Sequence, residues 1–179
     1  MIVINHHQEP PRKKAYKYEF IATKTVEQAA IASGKPYEVT RTIVEMRDFG
    51  NPPQFDPKNP WQIRKSVTGS DVYNGKLVLS HYEFFDHVFR YWTLDLCNYV
   101  DQGNQYSVTI ADYTDEGYPK RFKSENIFVQ GNHGIFFLGW TDVVQSRHLL
   151  PGDEIGLFWD VSSSNFGFKL LSRGNSHKN

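Results

Sequence analysis

Cysteine is almost absent from this chain: Cys97 is the single thiol in 179 residues. One thiol can neither close a disulfide within the chain nor build a cysteine-rich zinc cluster, so a reducing, intracellular compartment is the natural expectation. Long apolar runs are missing too. No stretch approaches the roughly 18 residues that would cross a membrane, and the opening MIVINHHQEPP lacks the apolar centre of a signal peptide. Net charge is the third absence, because 20 Lys and Arg balance 20 Asp and Glu. Nucleic-acid binders usually carry a basic excess, so any attraction to phosphate has to come from local clustering.

The signatures of catalysis are missing as well. There is no Gly-rich phosphate loop, no nucleophile elbow and no CxxC pair. Histidines stand at 6, 7, 81, 87, 133, 148 and 177, and His81 and His87 are six apart, which is not a helical metal-binding spacing. No enzyme, metal or cofactor is expected.

What is present is a globular composition, 39% hydrophobic and 15% aromatic. The chain divides at NPPQFDPKNP, residues 51–60, where four prolines exclude a continuous helix or a central strand and mark a connector. Upstream, KTVEQAAIASGKP reads as a helix with Val26, Ala29 and Ala30 on one face, stopped by Gly34 and Pro36. PYEVTRTIVEMRDF fits a helix or a strand equally. Residues 1–60 are read as an N-terminal extension, either partly ordered or a packed subdomain. PPRKK, residues 10–14, is a weak nuclear address and reads more readily as a solvated tail.

From Trp61 the pattern becomes short strands with turn punctuation. KLVL is β-prone. HYEFFDHVF places Tyr82, Phe85 and Phe89 at helical spacing, and VFRYWTLDLC reads as a strand turning near NYVDQGN. QYSVTIADY alternates, with Tyr106, Val108 and Ile110 on one face. PKRFKSENIFVQGNHGIFFLG reads as two strands with a tight turn at Gly131 and Asn132. A helical TDVVQSR then precedes the strands EIGLFWDV and FGFKLL, and residues 173–179 form a flexible tail. Trp140, Val143 and Val144 share one helix face, Arg147 and His148 suit its carbonyl end, and Asp153 suits the turn after Pro151 and Gly152. Six or seven strands and two short helices make a mostly-β domain, residues 61–172, closed or nearly closed into a barrel. Trp61, Trp92, Trp140 and Trp159 could form a sugar-binding platform, but their places on strands and a helix favour packing.

Three stretches in order resemble the plant B3 DNA-binding domain: IRKSVTGSDVYNGKLVL, YSVTIADYTDEG and GWTDVVQSRHLLPGDEIGLF. The resemblance implies a seven-stranded open or pseudo-barrel with two short helices. It also implies two arms in the major groove of double-stranded DNA, transcriptional regulation in the nucleus, and other transcription regulators as further partners. Carried onto this sequence, the first arm is residues 64–76 and the second 129–133.

Arg64, Lys65 and Lys76 are the expected phosphate anchors, since cations on phosphates release counterions. Ser66 and Ser70 are candidate phosphate or base contacts, and Asn74, Gln130, Asn132 and His133 candidate base readers. Lys120, Arg121 and Lys123 form the densest basic cluster, with Arg121 and Lys123 on one strand face and Phe122 on the other. By composition alone the first arm would be a solvated polar loop. From Trp61 onward eleven cations stand against thirteen acids, net −2, so binding is expected to be modest and salt-sensitive. A degenerate B3-like barrel serving as a protein-interaction module is the alternative.

Overall fold

The computed structural model describes residues 13–20, 24–34, 40–47, 54–115, 117–132 and 134–174. In the N-terminal part, β1 (Lys13–Phe20) and β2 (Thr40–Arg47) form an antiparallel ladder, in register from Lys13 opposite Arg47 to Phe20 opposite Thr40. The segment that fitted helix or strand equally is therefore a strand over its Thr40, Thr42, Ile43 and Val44, β-branched residues that suit extended backbone. The expected helix, α1 (Lys24–Ser33), lies between the two strands. Lys13 and Lys14 of the basic cluster belong to β1; residues 10–12, like the tail from 175, lie outside the described residues.

Downstream, two sheets pack around one core. The first has the strand order β3 (Ile63–Ser66), β10 (Glu154–Asp160), β11 (Asn165–Ser172), β6 (Ile110–Asp112), β7 (Lys120–Phe122). The second has the order β4 (Lys76–Leu79), β9 (Ile135–Trp140), β8 (Ile127–Asn132), β5 (Tyr106–Ser107). The two sheets remain separate and do not close into a barrel. Their inner faces supply Ile63, Leu77, Leu79, Ile110, Ile127, Phe136, Trp140, Ile155, Leu157, Phe166 and Phe168, all essentially fully buried. Helix α3 (His81–His87) closes one end of this core, with Phe84 stacked on Phe136 at 4.7 Å between ring centres. From there edge-to-face and tilted contacts run through Phe89, Trp92 and Trp159 to Phe166. Aromatic pairs in such geometries add to what burial alone contributes.

Several local expectations give way. VFRYWTLDLC is not a strand: it forms a 3₁₀ turn (Phe89–Tyr91) and helix α4 (Leu94–Asp101). Thr93 caps that helix by accepting from the Leu96 N–H at 3.3 Å, and Cys97 and Val100 turn its inner face to the core. Trp92 accordingly sits in the turn between them rather than on a strand. Of the three aromatics expected to share a helix face, Phe85 and Phe89 are buried but Tyr82 is exposed; Phe84 takes its place. QYSVTIADY splits at Val108 and Thr109, where the Val108 N–H still donates to Ile127 but the Thr109 carbonyl already accepts from Phe166. The chain changes sheet there. Helices α2 (Gly69–Tyr73) and α5 (Thr141–Arg147) complete nine strands and four α-helices among the described residues of 61–174, where seven and two were expected.

The connector is also a packing element. Phe55 and Trp61 lie against Phe158, at 5.9 and 5.4 Å between ring centres, on the outer face of the first sheet, with Tyr113 beside them. A methyl group at Gly156 would meet Trp61, and one at Gly167 would come within 2.0 Å of the Phe158 ring. Glycines make room for this second aromatic cluster, which is why β10 is buried on both faces. All four tryptophans are buried, in line with the packing role expected of them.

Candidate nucleic-acid interface

The first arm is an ordered unit. Thr68 and Asp71 form a reciprocal capping box at the start of α2. The buried Asp71 carboxylate accepts from the Thr68 N–H at 2.9 Å, the Thr68 hydroxyl at 2.6 Å and the Val78 N–H at 3.1 Å. The Trp140 indole N–H donates to the Asp71 carbonyl at 3.0 Å. One carboxylate and one indole thus pin the arm to β4 and β9.

On this frame the expected contact residues separate. Arg64 is exposed on the first sheet, its guanidinium donating to the Asn59 side chain at 2.9 Å. Lys65 points the other way and pairs with Glu83 at 3.2 Å; Glu83 in turn accepts from the Ser80 N–H that opens α3. Its opposing influences, burial pushing it up and the Ser80 and Lys65 contacts drawing it down, leave the Glu83 carboxyl below its usual value. Ser66 and Ser70 are exposed, and Asn74 donates to the Ser70 hydroxyl at 2.9 Å. Lys76 begins β4 on the second sheet, its ammonium 5.8 Å from the Phe128 ring centre and 5.9 Å from that of Phe137.

The second arm is the tip of the β8–β9 hairpin. Asn132 pairs with Ile135, so Gly131 and Asn132 belong to the ladder and do not form the turn. Gly134 takes φ +85, a left-handed conformation that glycine adopts freely. Asn132 is exposed. Gln130 is half-buried and donates to the Gly103 carbonyl at 2.8 Å, while Val129 is buried in the core. His133 lies outside the described residues.

Register defines what lies between the arms. Lys76 is opposite Gly139 at one end of β9, and Asn132 is opposite Ile135 at the other. At about 3.3 Å per residue and about 4.8 Å per strand, the two stand roughly 13 Å apart along the strands and roughly 10 Å across them, about 16 Å in all. The outward side chains between them are Val78, Phe128, Gln130 and Phe137, with Ile135 at the tip and no carboxylate among the described residues of that face. Gly139 lets Phe128 lie flat across β9, since a methyl there would come within 2.5 Å of the ring.

The basic cluster is elsewhere. β7 is the far edge of the first sheet from β3, four strand spacings or roughly 19 Å from Arg64. Lys120 donates to the Ser146 hydroxyl at 2.8 Å and lies over Phe122. Arg121 and Lys123 are exposed with Phe122 buried between them, as alternation predicts, and form no ion pair among the described residues.

The acid at the turn of the C-terminal motif is structural. Asp153 is buried and accepts from the Leu150 N–H at 3.0 Å, the Gly174 N–H at 2.9 Å and the Arg173 guanidinium at 2.8 Å. Burial pushes its carboxyl up, but those three donors outweigh burial and hold it below the usual carboxylate value. Arg147 does more than face the end of α5: it pairs with the buried Asp112 and, at 2.7 Å, with Asp115, tying α5 to the turn after β6. His148 ends the helix in a left-handed conformation.

Sequence reasoning missed Asp71, Glu83, Gly139 and the outward row Val78, Phe128, Ile135, Phe137. The row was readable from alternation in IFVQGN and IFFLGW; the Lys65–Glu83 pair joins residues 18 apart and had no local signal.

An open pair of sheets with two arms flanking one of them defines the class of the domain. The family model described as "B3 domain-containing protein At5g26805, C-terminal domain" matches residues 61–171, and the chain belongs to the B3 domain-containing proteins, with a B3-type open fold. From Arabidopsis thaliana, B3 domain-containing protein At4g02870 is 34% identical over 125 residues, 68% of this chain and 38% of that protein. Putative B3 domain-containing protein At1g51970, also from Arabidopsis thaliana, is 30% identical over 116 residues, 65% of this chain and 90% of that protein. The match thus spans well under half of the first relative's length. A solved structure, "Arabidopsis FUS3-DNA complex", is similar at a TM-score of 0.44 and 20% identity, covering 63% of this chain and 97% of that one.

Proposed function

We propose that the domain binds double-stranded DNA in the major groove, without catalysis, as a nuclear regulator of transcription. The observation that carries the reading is the face of the second sheet between the arms, bearing Lys76, Gln130 and Asn132 and no carboxylate among the described residues. Membership of the B3 domain-containing proteins supports the same reading. Lys76 and Arg64 are the phosphate anchors of the first arm, with Ser66 and Ser70 beside them. Lys65 can join only by leaving Glu83. Asn74, Asn132 and His133 are the base readers, and Gln130 offers its carbonyl oxygen and one amide N–H, the other being given to Gly103. Lys120, Arg121 and Lys123 would meet phosphates at a separate point of the same duplex.

The test is a titration of the full chain with a random-sequence duplex pool at low and at high salt. Salt-sensitive binding is expected; no binding to any duplex at low salt would overturn the reading. The apolar outward row Val78, Phe128, Ile135 and Phe137 favours the second reading, a protein-interaction module. In that case the same face engages a protein partner and duplex DNA leaves it unoccupied.

A further inference from the structure

The face between the arms carries few polar side chains, and some of their donors are already engaged. The Gln130 amide gives one of its two N–H groups to Gly103 and the Asn74 amide one of its two to Ser70, while the Lys76 ammonium stands near two rings. Asn132 alone of the outward polar side chains on β8 and β9 has no hydrogen-bond partner among the described residues. Apolar groups dominate instead. Val78 is 38% exposed and Ile135 49%, and Phe137 joins them, opposite Val78 across the ladder and two residues from Ile135 on the same strand.

A surface of this kind can read few bases by hydrogen bonding. The major groove edge of a base pair carries one apolar group, the C5-methyl of thymine; 5-methylcytosine presents the same group. Resting on the DNA-binding reading above, we propose that this face recognises pyrimidine C5-methyl groups. Ile135 and Val78 make the methyl contacts, and Asn132 hydrogen-bonds a neighbouring base edge. Lys76, held at one end of the row, places a positive charge toward the backbone without a carboxylate on the face to oppose it. Ile135 and Val78 give sequence preference where polar readers are scarce.

The experiment measures the affinity of the full chain for a duplex that it selects from a random pool, by fluorescence anisotropy. Companion duplexes carry uracil for thymine within the protected site, or 5-methylcytosine for cytosine. Burying one methyl corresponds to a change of about threefold to fivefold in affinity, so removing each thymine methyl that the face touches should weaken binding by that factor. Tighter binding of the cytosine-methylated duplex would identify 5-methylcytosine as the source of the methyl. Ile135→Ala, at an exposed position that should leave the melting temperature unchanged, is expected to erase the difference between methylated and unmethylated duplexes. Val78→Thr, which keeps the shape and adds a hydroxyl, should reduce it. Equal affinity for all three duplexes overturns the inference while DNA binding stands. Failure to bind any duplex removes both.

Discussion

Asp71 shows how much of the first arm rests on one side chain. Its carboxylate takes three hydrogen bonds while buried, and leaving such donors unmatched costs about 1–3 kcal/mol. Asp71→Ala should lower stability by that order in denaturant titration and weaken duplex binding more than the surface change Ser70→Ala does. Gly139 is a second single point of dependence. A methyl there would come within 2.5 Å of the Phe128 ring and 2.8 Å of the Asn126 carbonyl, so Gly139→Ala should destabilise by about 1–3 kcal/mol, the cost of overpacking. Asp153 sets an acid limit. Its folded-state value lies below the unfolded one, so its contribution is complete above about pH 4 and is lost as pH falls through the folded value. Asp153→Asn should flatten the fall in melting temperature on acidification while lowering stability at neutral pH.

At the scale of elements, α3 carries a different titration. His87 is pushed down chiefly by burial; Arg90 works in the same direction, while Asp86 and Glu83 oppose it. Its Nδ1 has no hydrogen-bond partner among the described residues. A histidine held neutral in the fold takes up its proton more readily when unfolded, so stability should fall as pH drops below about 6.5. His87→Leu should remove that part of the dependence at mildly acidic pH, measured as melting temperature. The same region shows what was legible in the sequence. Helix α3 was readable because its aromatics recur at helical spacing, though the buried partner is Phe84 rather than Tyr82. Helix α4 was not, because Val88, Phe89, Trp92 and Leu94 mimic a strand; Thr93 with Cys97 and Val100 behind it was the better signal. Strands β8 to β11 and helix α5 followed from alternation and turn residues. The arms came from the family resemblance, and α2 within the first arm was hidden in a stretch of only five residues.

At the scale of the whole molecule, charge near neutrality makes local anchors decisive. Arg64→Ala combined with Lys76→Ala should weaken duplex binding and reduce the salt slope by about one unit for each phosphate no longer neutralised. Lys65→Ala should change the slope little, because Lys65 is already neutralised by Glu83. A slope unchanged from wild type in the Arg64 and Lys76 double variant would move the phosphate contacts away from the first arm. The basic stripe on β7 tests the reach of the duplex. If it bends round the first sheet's far edge, Arg121→Ala should lower the slope as well.

Asp71 has a further consequence, for how copies of the domain meet one another. Strand β4 ends the second sheet, and its Val78 N–H, facing away from β9, would otherwise be open to a strand from a second molecule. The carboxylate that shapes the arm fills that position, leaving the N–H no free bond to offer an incoming strand. A chain lacking it should show concentration-dependent oligomers by light scattering, even under conditions where most of it remains folded.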